Sequence, residues 1–209
     1  MASQRQSTID QVSPYSLQTV SERAPACPGG SPSPVVFPPR PSIPLTSRYE
    51  YALNYTDIGG SSSTFPVRIF NAYTTSVGFA SNGYLRFTYY TVAPYQTALG
   101  SWPTSGDYAL SQFTNHTFTY TWQSSLASDI RQRIGFTLYY TTDTPGIFYI
   151  WYDYVLSKTT GDQALIGAYG SGFSKPYNIT YSQNTPGKIH AGMRLAFDTN
   201  CNGSSITVG

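Results

Sequence analysis

The feature that most constrains the fold is a strict alternation of aromatic residues with threonines in 117–122. The run reads Thr-Phe-Thr-Tyr-Thr-Trp, so every second residue is aromatic. Successive side chains of a β-strand point to opposite faces of the sheet. The alternation therefore predicts a strand with one aromatic face and one hydroxyl face.

The same period of two recurs along the chain from residue 48 onward. Ile134, Phe136, Leu138 and Tyr140 alternate in one run, and a Pro-Gly turn at 142–146 leads into a second aromatic run at 147–154, which predicts a β-hairpin. Asn82-Gly83 predicts a tight turn with positive φ. Further strands are expected at 49–55, 65–70, 76–79, 84–88, 108–113, 164–168 and 178–181, and a last one in which Ile189, Ala191, Met193, Leu195 and Phe197 share a face.

About ten short antiparallel strands separated by Gly, Pro, Asn and Ser turns are typical of an all-β, jelly-roll-like β-sandwich. Residues 1–47 differ, because they hold few large apolar side chains and the run PACPGGSPSPVVFPPRPSIP. Proline removes backbone donors and favours the extended polyproline II geometry. We therefore predict a disordered Pro/Ser-rich leader or linker over 1–47 and a β-sandwich domain over 48–209.

The charge content argues against several partners. Charged residues make up 11% of the chain and aromatic residues 16%, which is typical of secreted β-proteins. A net charge of +2 without a basic cluster predicts no nucleic-acid binding. No apolar run approaches the roughly 18 residues that cross a bilayer, so membrane insertion is not expected.

Two features predict an extracellular or cell-surface location, although the first residues carry no secretion signal. The Asn-x-Ser/Thr acceptor pattern for N-glycosylation occurs at Asn54, Asn115, Asn178 and Asn202. Cys27 and Cys201, one before and one after the domain body, predict a disulfide. Two free buried thiols are the alternative.

Side chains suited to catalysis are scarce, so we predict that the protein is not an enzyme and carries no cofactor. His116 and His190 have no partner at a metal-ligand or catalytic-triad spacing. Asp153 is the one charge within an aromatic strand, and we interpret it as facing solvent together with Tyr149 and Trp151. The alternative is that Asp153 belongs to a pair of carboxylates for glycoside hydrolysis, which would meet in space and not in sequence. No dedicated metal site is predicted, although loop carboxylates could supply oxygens to calcium, namely Asp57, Asp107, Asp143 and Asp162.

The segment between Thr88 and Tyr108 is long for a hairpin turn, and loops of this length often carry function. It predicts a ligand-binding loop, because tyrosine and tryptophan rings stack on sugar faces and anchor protein interfaces. The candidate ligand-binding residues are Tyr89, Tyr90, Tyr95, Trp102 and Asp107. Packing of the rings over one open end of the sandwich is the alternative.

The order of segments FPVRIFNAYTTSVGFASNGYLRF, FTYTW, RQRIGFTLYYTTDTPGIFYIWYDYVL and ALIGAYGSG resembles that of nidogen-like extracellular β-sandwich modules, over 65–172. The Ser/Thr-rich, sequon-bearing sequence with its Pro-rich leader is also similar to fungal cell-wall proteins and adhesins. The paired adjacent aspartates with which sugar-binding fungal adhesins hold calcium do not occur here. The resemblance implies a non-catalytic surface module.

We therefore expect a secreted or cell-surface module with a structural or adhesive role, whose partner is a cell-wall glycan or a surface or matrix protein. The first alternative is a carbohydrate-binding module that uses the aromatic loop. The second is a viral jelly-roll coat subunit. Such a subunit would be expected to carry a basic arm, whereas residues 1–47 hold only Arg5, Arg23 and Arg40.

Overall fold

A computed structural model describes residues 35–43, 58–70, 72–80, 82–99, 107–171, 176–200 and 206–209. These residues form twelve β-strands and no helix. None of the described segments could therefore cross a membrane as a helix. The strands are β1 (Ile58–Ile69), β2 (Ala72–Ala80), β3 (Tyr84–Phe87), β4 (Tyr90–Gln96), β5 (Tyr108–Phe113), β6 (Thr117–Leu126), β7 (Asp129–Thr141), β8 (Ile147–Val155), β9 (Leu165–Ser171), β10 (Pro176–Gln183), β11 (Arg194–Asp198) and β12 (Ile206–Val208).

The strands build two six-stranded antiparallel sheets that pack face to face. Sheet A has the order β1-β2-β3-β4-β9-β10, and sheet B has the order β12-β11-β8-β7-β6-β5. The chain passes between the sheets after β4, after β8 and after β10. One continuous cluster of buried side chains from both sheets fills the space between them. The predicted all-β antiparallel sandwich is confirmed.

The alternation in β6 positions the centre of the core. Phe118, Tyr120 and Trp122 are buried, and the ring of Trp122 lies 4.9 Å from that of Phe79 across the sandwich. On the opposite face of the strand, the hydroxyl oxygen of Thr121 lies 3.0 Å from that of Thr137 on β7. The aromatic face therefore joins the two sheets, and the hydroxyl face forms the outside of sheet B.

The predicted turns are also present. Residues 134–140 of β7 pair with β8, and the turn at 142–146 joins the two strands, as the sequence indicates. Gly83 has φ +83° between β2 and β3, and its amide donates to the Ala80 carbonyl oxygen at 3.2 Å. A Cβ at Gly83 would lie 2.2 Å from the carbonyl oxygen of Tyr95. Glycine is required here both for its φ and for the close backbone contact.

The segment predicted as a loop between Thr88 and Tyr108 is in large part a strand, so that prediction was wrong for residues 90–96. They form β4, which lies between β3 and β9 in the middle of sheet A. Proline is normally excluded from central strands, except at bulges. Pro94 lies where the β4–β9 register shifts between Ala93 and Gln96, and its carbonyl oxygen accepts the Tyr152 hydroxyl at 2.7 Å.

Two other strands differ from expectation. β11 begins at Arg194, and Ala191, expected on its buried face, lies exposed in the preceding turn. Ile189, Met193, Leu195 and Phe197 are buried as predicted. β12 was not predicted, and the strand expected at 49–55 lies outside the described residues.

Candidate binding surfaces

The structure separates the aromatic residues that were predicted to bind ligand. Tyr90 is 7% exposed, and its ring packs at a tilt against that of Phe70 with centroids 5.3 Å apart; Tyr95 is fully buried. Both rings are part of the core, so the expectation that they form a binding surface is corrected. Tyr89 is 55% exposed in the two-residue turn between β3 and β4, and Trp102 lies outside the described residues.

Asp107, the fifth candidate, is also a buried structural residue. It is 3% exposed, and one carboxylate oxygen accepts the Ser125 amide at 3.0 Å and the Ser125 hydroxyl at 2.6 Å. The other oxygen accepts the Arg133 guanidinium at 3.0 Å. The side chain thus ties the start of β5 to the ends of β6 and β7, and it offers no surface to a ligand.

Replacing Asp107 by alanine is expected to lower the free energy of unfolding by about 3 kcal/mol, because it removes a buried carboxylate that accepts hydrogen bonds from the Arg133 guanidinium and from the Ser125 amide and hydroxyl. Urea unfolding followed by tryptophan fluorescence measures the loss. Asp143→Ala, at an exposed turn position, is the matched control and should stay within about 0.5 kcal/mol of the wild type. Equal stability of the two variants would show that the Asp107 contacts contribute nothing.

The outer face of sheet A presents a row of directly paired side chains that crosses four strands. Arg86 on β3 pairs with Thr91 on β4, Thr91 pairs with Tyr169 on β9, and Tyr169 pairs with Asn178 on β10. The neighbouring row, Phe79, Leu85, Val92, Ala168 and Ile179, is buried in the core. The period of two therefore directs the first row outward.

Tyr169 lies at the centre of this outer row. Its hydroxyl donates to the side-chain oxygen of Gln96. Partial burial raises the pKa of the Tyr169 hydroxyl, hydrogen bonds with Thr91 and Gln96 oppose this rise, and the nearby Tyr84 hydroxyl adds to it. Two tyrosines, one arginine, two polar side chains of β4 and a sequon asparagine thus share one surface. We call this surface the tyrosine face, formed by Tyr84, Arg86, Thr91, Gln96, Tyr169 and Asn178.

Two of the predicted glycosylation sites can be placed. Asn178 is exposed on β10 within the tyrosine face, and its side-chain oxygen accepts the Thr180 hydroxyl at 2.6 Å. Asn115 is exposed in the turn between β5 and β6. Asn54 and Asn202 lie outside the described residues, as do Cys27 and Cys201, so the disulfide stays a prediction.

Part of the outer face of sheet B, over β8 and β11, is covered by the chain itself. Residues 35–43, here called the strap, lie within the stretch predicted to be a disordered leader. They belong to no strand, yet they pack against β8 and β11. The Phe37 ring meets the edge of the Tyr149 ring with centroids 6.1 Å apart, and the Arg194 guanidinium lies 5.0 Å above Phe37. Val35 also packs on the buried cluster beneath, which consists of Tyr149, Trp151 and Ala196.

The strap is also held by an ion pair. Arg40 donates from Nε to Asp153 Oδ1 at 2.5 Å and from Nη2 to Asp153 Oδ2 at 2.7 Å. The same Nη2 lies 3.1 Å from the Thr137 hydroxyl oxygen. Asp153 does share the outer face with Tyr149 and Trp151, as the sequence indicated. The two rings are buried beneath the strap, however, and do not face solvent.

The described residues contain no group of three or more His, Cys, Asp or Glu side chains placed to hold a metal ion. His116 and His190 are exposed, and His190 Nδ1 lies 3.0 Å from the Ala191 carbonyl oxygen. Within the described part of the chain, two surfaces are candidates for binding: the tyrosine face, and the outer face of sheet B on which the strap docks. No protein-family model, no curated protein and no solved structure matches the chain.

Proposed function

We propose that the protein is a non-catalytic secreted or cell-surface module with a structural or adhesive role, and that it contacts its ligand through the tyrosine face. The observation that supports this most directly is the outward row Arg86-Thr91-Tyr169-Asn178. A row of paired side chains on consecutive strands is flat and regular. Such a surface suits an extended ligand better than a small molecule, which usually binds in a concave site.

Carbohydrate binding is a second function that the same face supports. A tyrosine ring offers a flat apolar surface and a polar handle, and amide and guanidinium groups hydrogen-bond to hydroxyls. Here the partly exposed Tyr169 stands beside Gln96 on one side and Asn178 on the other. This combination fits a polysaccharide chain that lies across β4, β9 and β10.

The position of Asn178 affects the experiment. An N-glycan on Asn178 would stand next to Tyr169, its direct cross-strand neighbour, and would compete for the face. Binding is therefore best measured on two preparations of the full unchanged chain, one from a host that adds N-glycans and one from a host that does not. Stronger binding by the unglycosylated chain is the expected result.

The test titrates cell-wall polysaccharides and immobilised matrix proteins against Tyr84→Ala, Tyr169→Ala and the double variant. A stacked ring contributes about 0.5 to 1.5 kcal/mol beyond its buried area, so each single change should weaken binding about two- to tenfold, and the double change more. Tyr73→Ala is the matched control, because Tyr73 is 65% exposed on β2, outside the tyrosine face. Melting temperatures check that each variant is folded.

The outcomes separate the alternatives. Loss of polysaccharide binding by Tyr169→Ala, with Tyr73→Ala unaffected, supports a carbohydrate-binding module. Loss of binding to a matrix protein alone supports protein adhesion. Folded variants that bind as the wild type does would exclude the tyrosine face, and a wild-type chain that binds none of these ligands would contradict the adhesive role.

A further inference from the structure

The strap docks through side chains and does not extend a sheet. Pro38, Pro39 and Pro41 have no backbone N–H to donate, and residues 35–43 join no strand. Phe37 supplies the apolar contact, and Arg40 supplies the hydrogen bonds to Asp153 and Thr137. Proteins recognise proline-rich ligands in this way, with an aromatic surface and a few polar contacts reading a preformed extended segment.

The receptor surface is complementary to the strap in shape and in charge. Tyr149, Trp151 and Ala196 form an apolar patch beneath Phe37. Asp153 lies at the β7–β8 register shift, and its carboxylate accepts hydrogen bonds from two nitrogens of the Arg40 guanidinium. This bidentate pair fixes the orientation of the strap as well as its position. The contact therefore has the two elements of a specific recognition site, an aromatic patch and one oriented ion pair.

The linker between the strap and β1 is long enough to let the strap dock on a second molecule. The strap precedes β1, which lies at the edge of sheet A, yet it docks on sheet B. Fourteen residues, 44–57, separate Ile43 from Ile58. That length spans up to about 50 Å when extended, whereas a six-stranded sheet is about 25 to 30 Å wide at the usual strand spacing. The strap can therefore reach the corresponding face of a neighbouring molecule.

We propose that the strap and the outer face of sheet B are an exchangeable docking pair, and that two copies of this chain dimerise by swapping their straps reciprocally. Each swapped strap makes the contacts that it makes within one molecule, so the two copies close on each other with twofold symmetry. A strap tethered to its own domain has an effective concentration in the millimolar range. The monomer therefore dominates in dilute solution, and exchange becomes populated where copies are crowded.

This proposal goes beyond the proposed function and does not rest on it, because it uses no residue of the tyrosine face. It would give a structural module a means of self-assembly. If every ligand titration failed, the strap-exchange proposal would still stand. If strap exchange were disproved, the proposed binding by the tyrosine face would still stand.

The test is a charge reversal divided between two full-length chains, Arg40→Asp and Asp153→Arg. In either variant alone, position 40 of the strap and position 153 of the receptor surface carry the same charge. They therefore repel, whether the strap docks within one molecule or on a second. In a 1:1 mixture, a reciprocally swapped heterodimer restores opposite charges at both sites. Native mass spectrometry and sedimentation velocity at about 50 to 100 μM should show heterodimers in the mixture at least tenfold more abundant than homodimers in either variant.

The chain with both changes, R40D/D153R, is the matched control. Its strap and receptor are complementary within one molecule, so it should be monomeric and should melt close to the wild type. A mixture that stays monomeric while this control is folded would overturn the proposal, as would equal dimerisation of each single variant alone.

A second measurement covers the case in which Asp153→Arg disrupts the face. The full chain with Phe37→Ala and Arg40→Ala keeps the receptor intact but weakens its own strap. A fluorescent peptide with the sequence of residues 35–43 should bind this variant at least tenfold more tightly than it binds the wild type, whose receptor is occupied. Adding Asp153→Asn to the variant should remove that gain, and no binding to the variant would contradict the proposal.

Discussion

Raising the pH above 10 is expected to unfold the domain steeply, because several tyrosine hydroxyls are buried in its core. Burial raises the pKa of Tyr152 well above its ordinary value near 10, and the Tyr181 and Tyr95 hydroxyls raise it further. Burial likewise raises the pKa of Tyr95, with a further contribution from Asp162, and that of Tyr140. These hydroxyls remain protonated in the folded protein at a pH where exposed tyrosines ionise.

The direction of the effect follows from proton linkage. Above pH 10 the unfolded chain loses phenolic protons that the folded protein still holds, so the free energy of unfolding falls as the pH rises. Each strongly shifted tyrosine contributes up to about 1.4 kcal/mol per pH unit, or about 3 kcal/mol per unit for Tyr95 and Tyr152 together. Below pH 10 their contribution is fully present. A domain whose free energy of unfolding is about 5 kcal/mol, the low end of the ordinary range, would thus unfold about two pH units above pH 10.

Urea unfolding at half-unit steps from pH 8 to 12 measures this slope, and absorbance at 295 nm reports tyrosine ionisation. Tyr152→Phe is the informative variant, because it removes one buried ionisable hydroxyl and keeps the ring. It should cost about 1 kcal/mol at pH 7, through loss of the hydrogen bond to Pro94, yet reduce the slope above pH 10 by about 1.4 kcal/mol per unit. A variant slope equal to that of the wild type would show that Tyr152 does not ionise on unfolding.

Much of the fold could be predicted because the period of two acts locally. Phe118, Tyr120 and Trp122 are apolar at alternate positions, and only a pleated strand brings all three to one face. The turn at Asn82-Gly83 was equally predictable from the sequence, since it depends on backbone conformation and not on distant contacts. Strand order within each sheet was not predictable in this way. It depends on pairs that are far apart in sequence, such as β4 with β9.

β4 was missed because its sequence carries a contrary signal. Pro94 argues against a central strand, and Thr-Tyr-Tyr-Thr before it matches a polar loop as well as a strand. The bulge that accommodates Pro94 forms against Gly167 and Leu165 of β9, some seventy residues later. Assignment of Tyr90 and Tyr95 to the core therefore required the partner strand, which local pattern does not reveal.

The candidate surfaces were harder to predict than the core. The tyrosine face combines residues from four strands, β3, β4, β9 and β10, and its polar side chains are individually unremarkable in sequence. The strap did leave a signal. Arg40 is the one charge in a proline-rich run, and Asp153 is the one charge in an aromatic strand. Two isolated opposite charges in such surroundings would each benefit from pairing, although sequence alone does not show that they meet.

Trp122→Ala is expected to be the most damaging single core substitution, with a loss of about 3 to 5 kcal/mol in the free energy of unfolding. Trp122 is 1% exposed on β6 of sheet B, and its ring stacks between those of Phe79 and Phe136, each 4.9 Å away. Its indole N–H donates to the carbonyl oxygen of Ala80 on β2 at 3.2 Å. The side chain thus joins the two sheets by stacking and by a hydrogen bond.

The matched control separates these two contributions. Trp122→Phe keeps an aromatic ring between Phe79 and Phe136 but removes the indole N–H, leaving the Ala80 carbonyl without this donor. It should cost about 1 to 3 kcal/mol, from the lost hydrogen bond and a smaller cavity. Urea unfolding followed by far-ultraviolet circular dichroism measures both variants without relying on tryptophan fluorescence. An alanine variant no less stable than the phenylalanine variant would mean that stacking at Trp122 does not hold the sheets together.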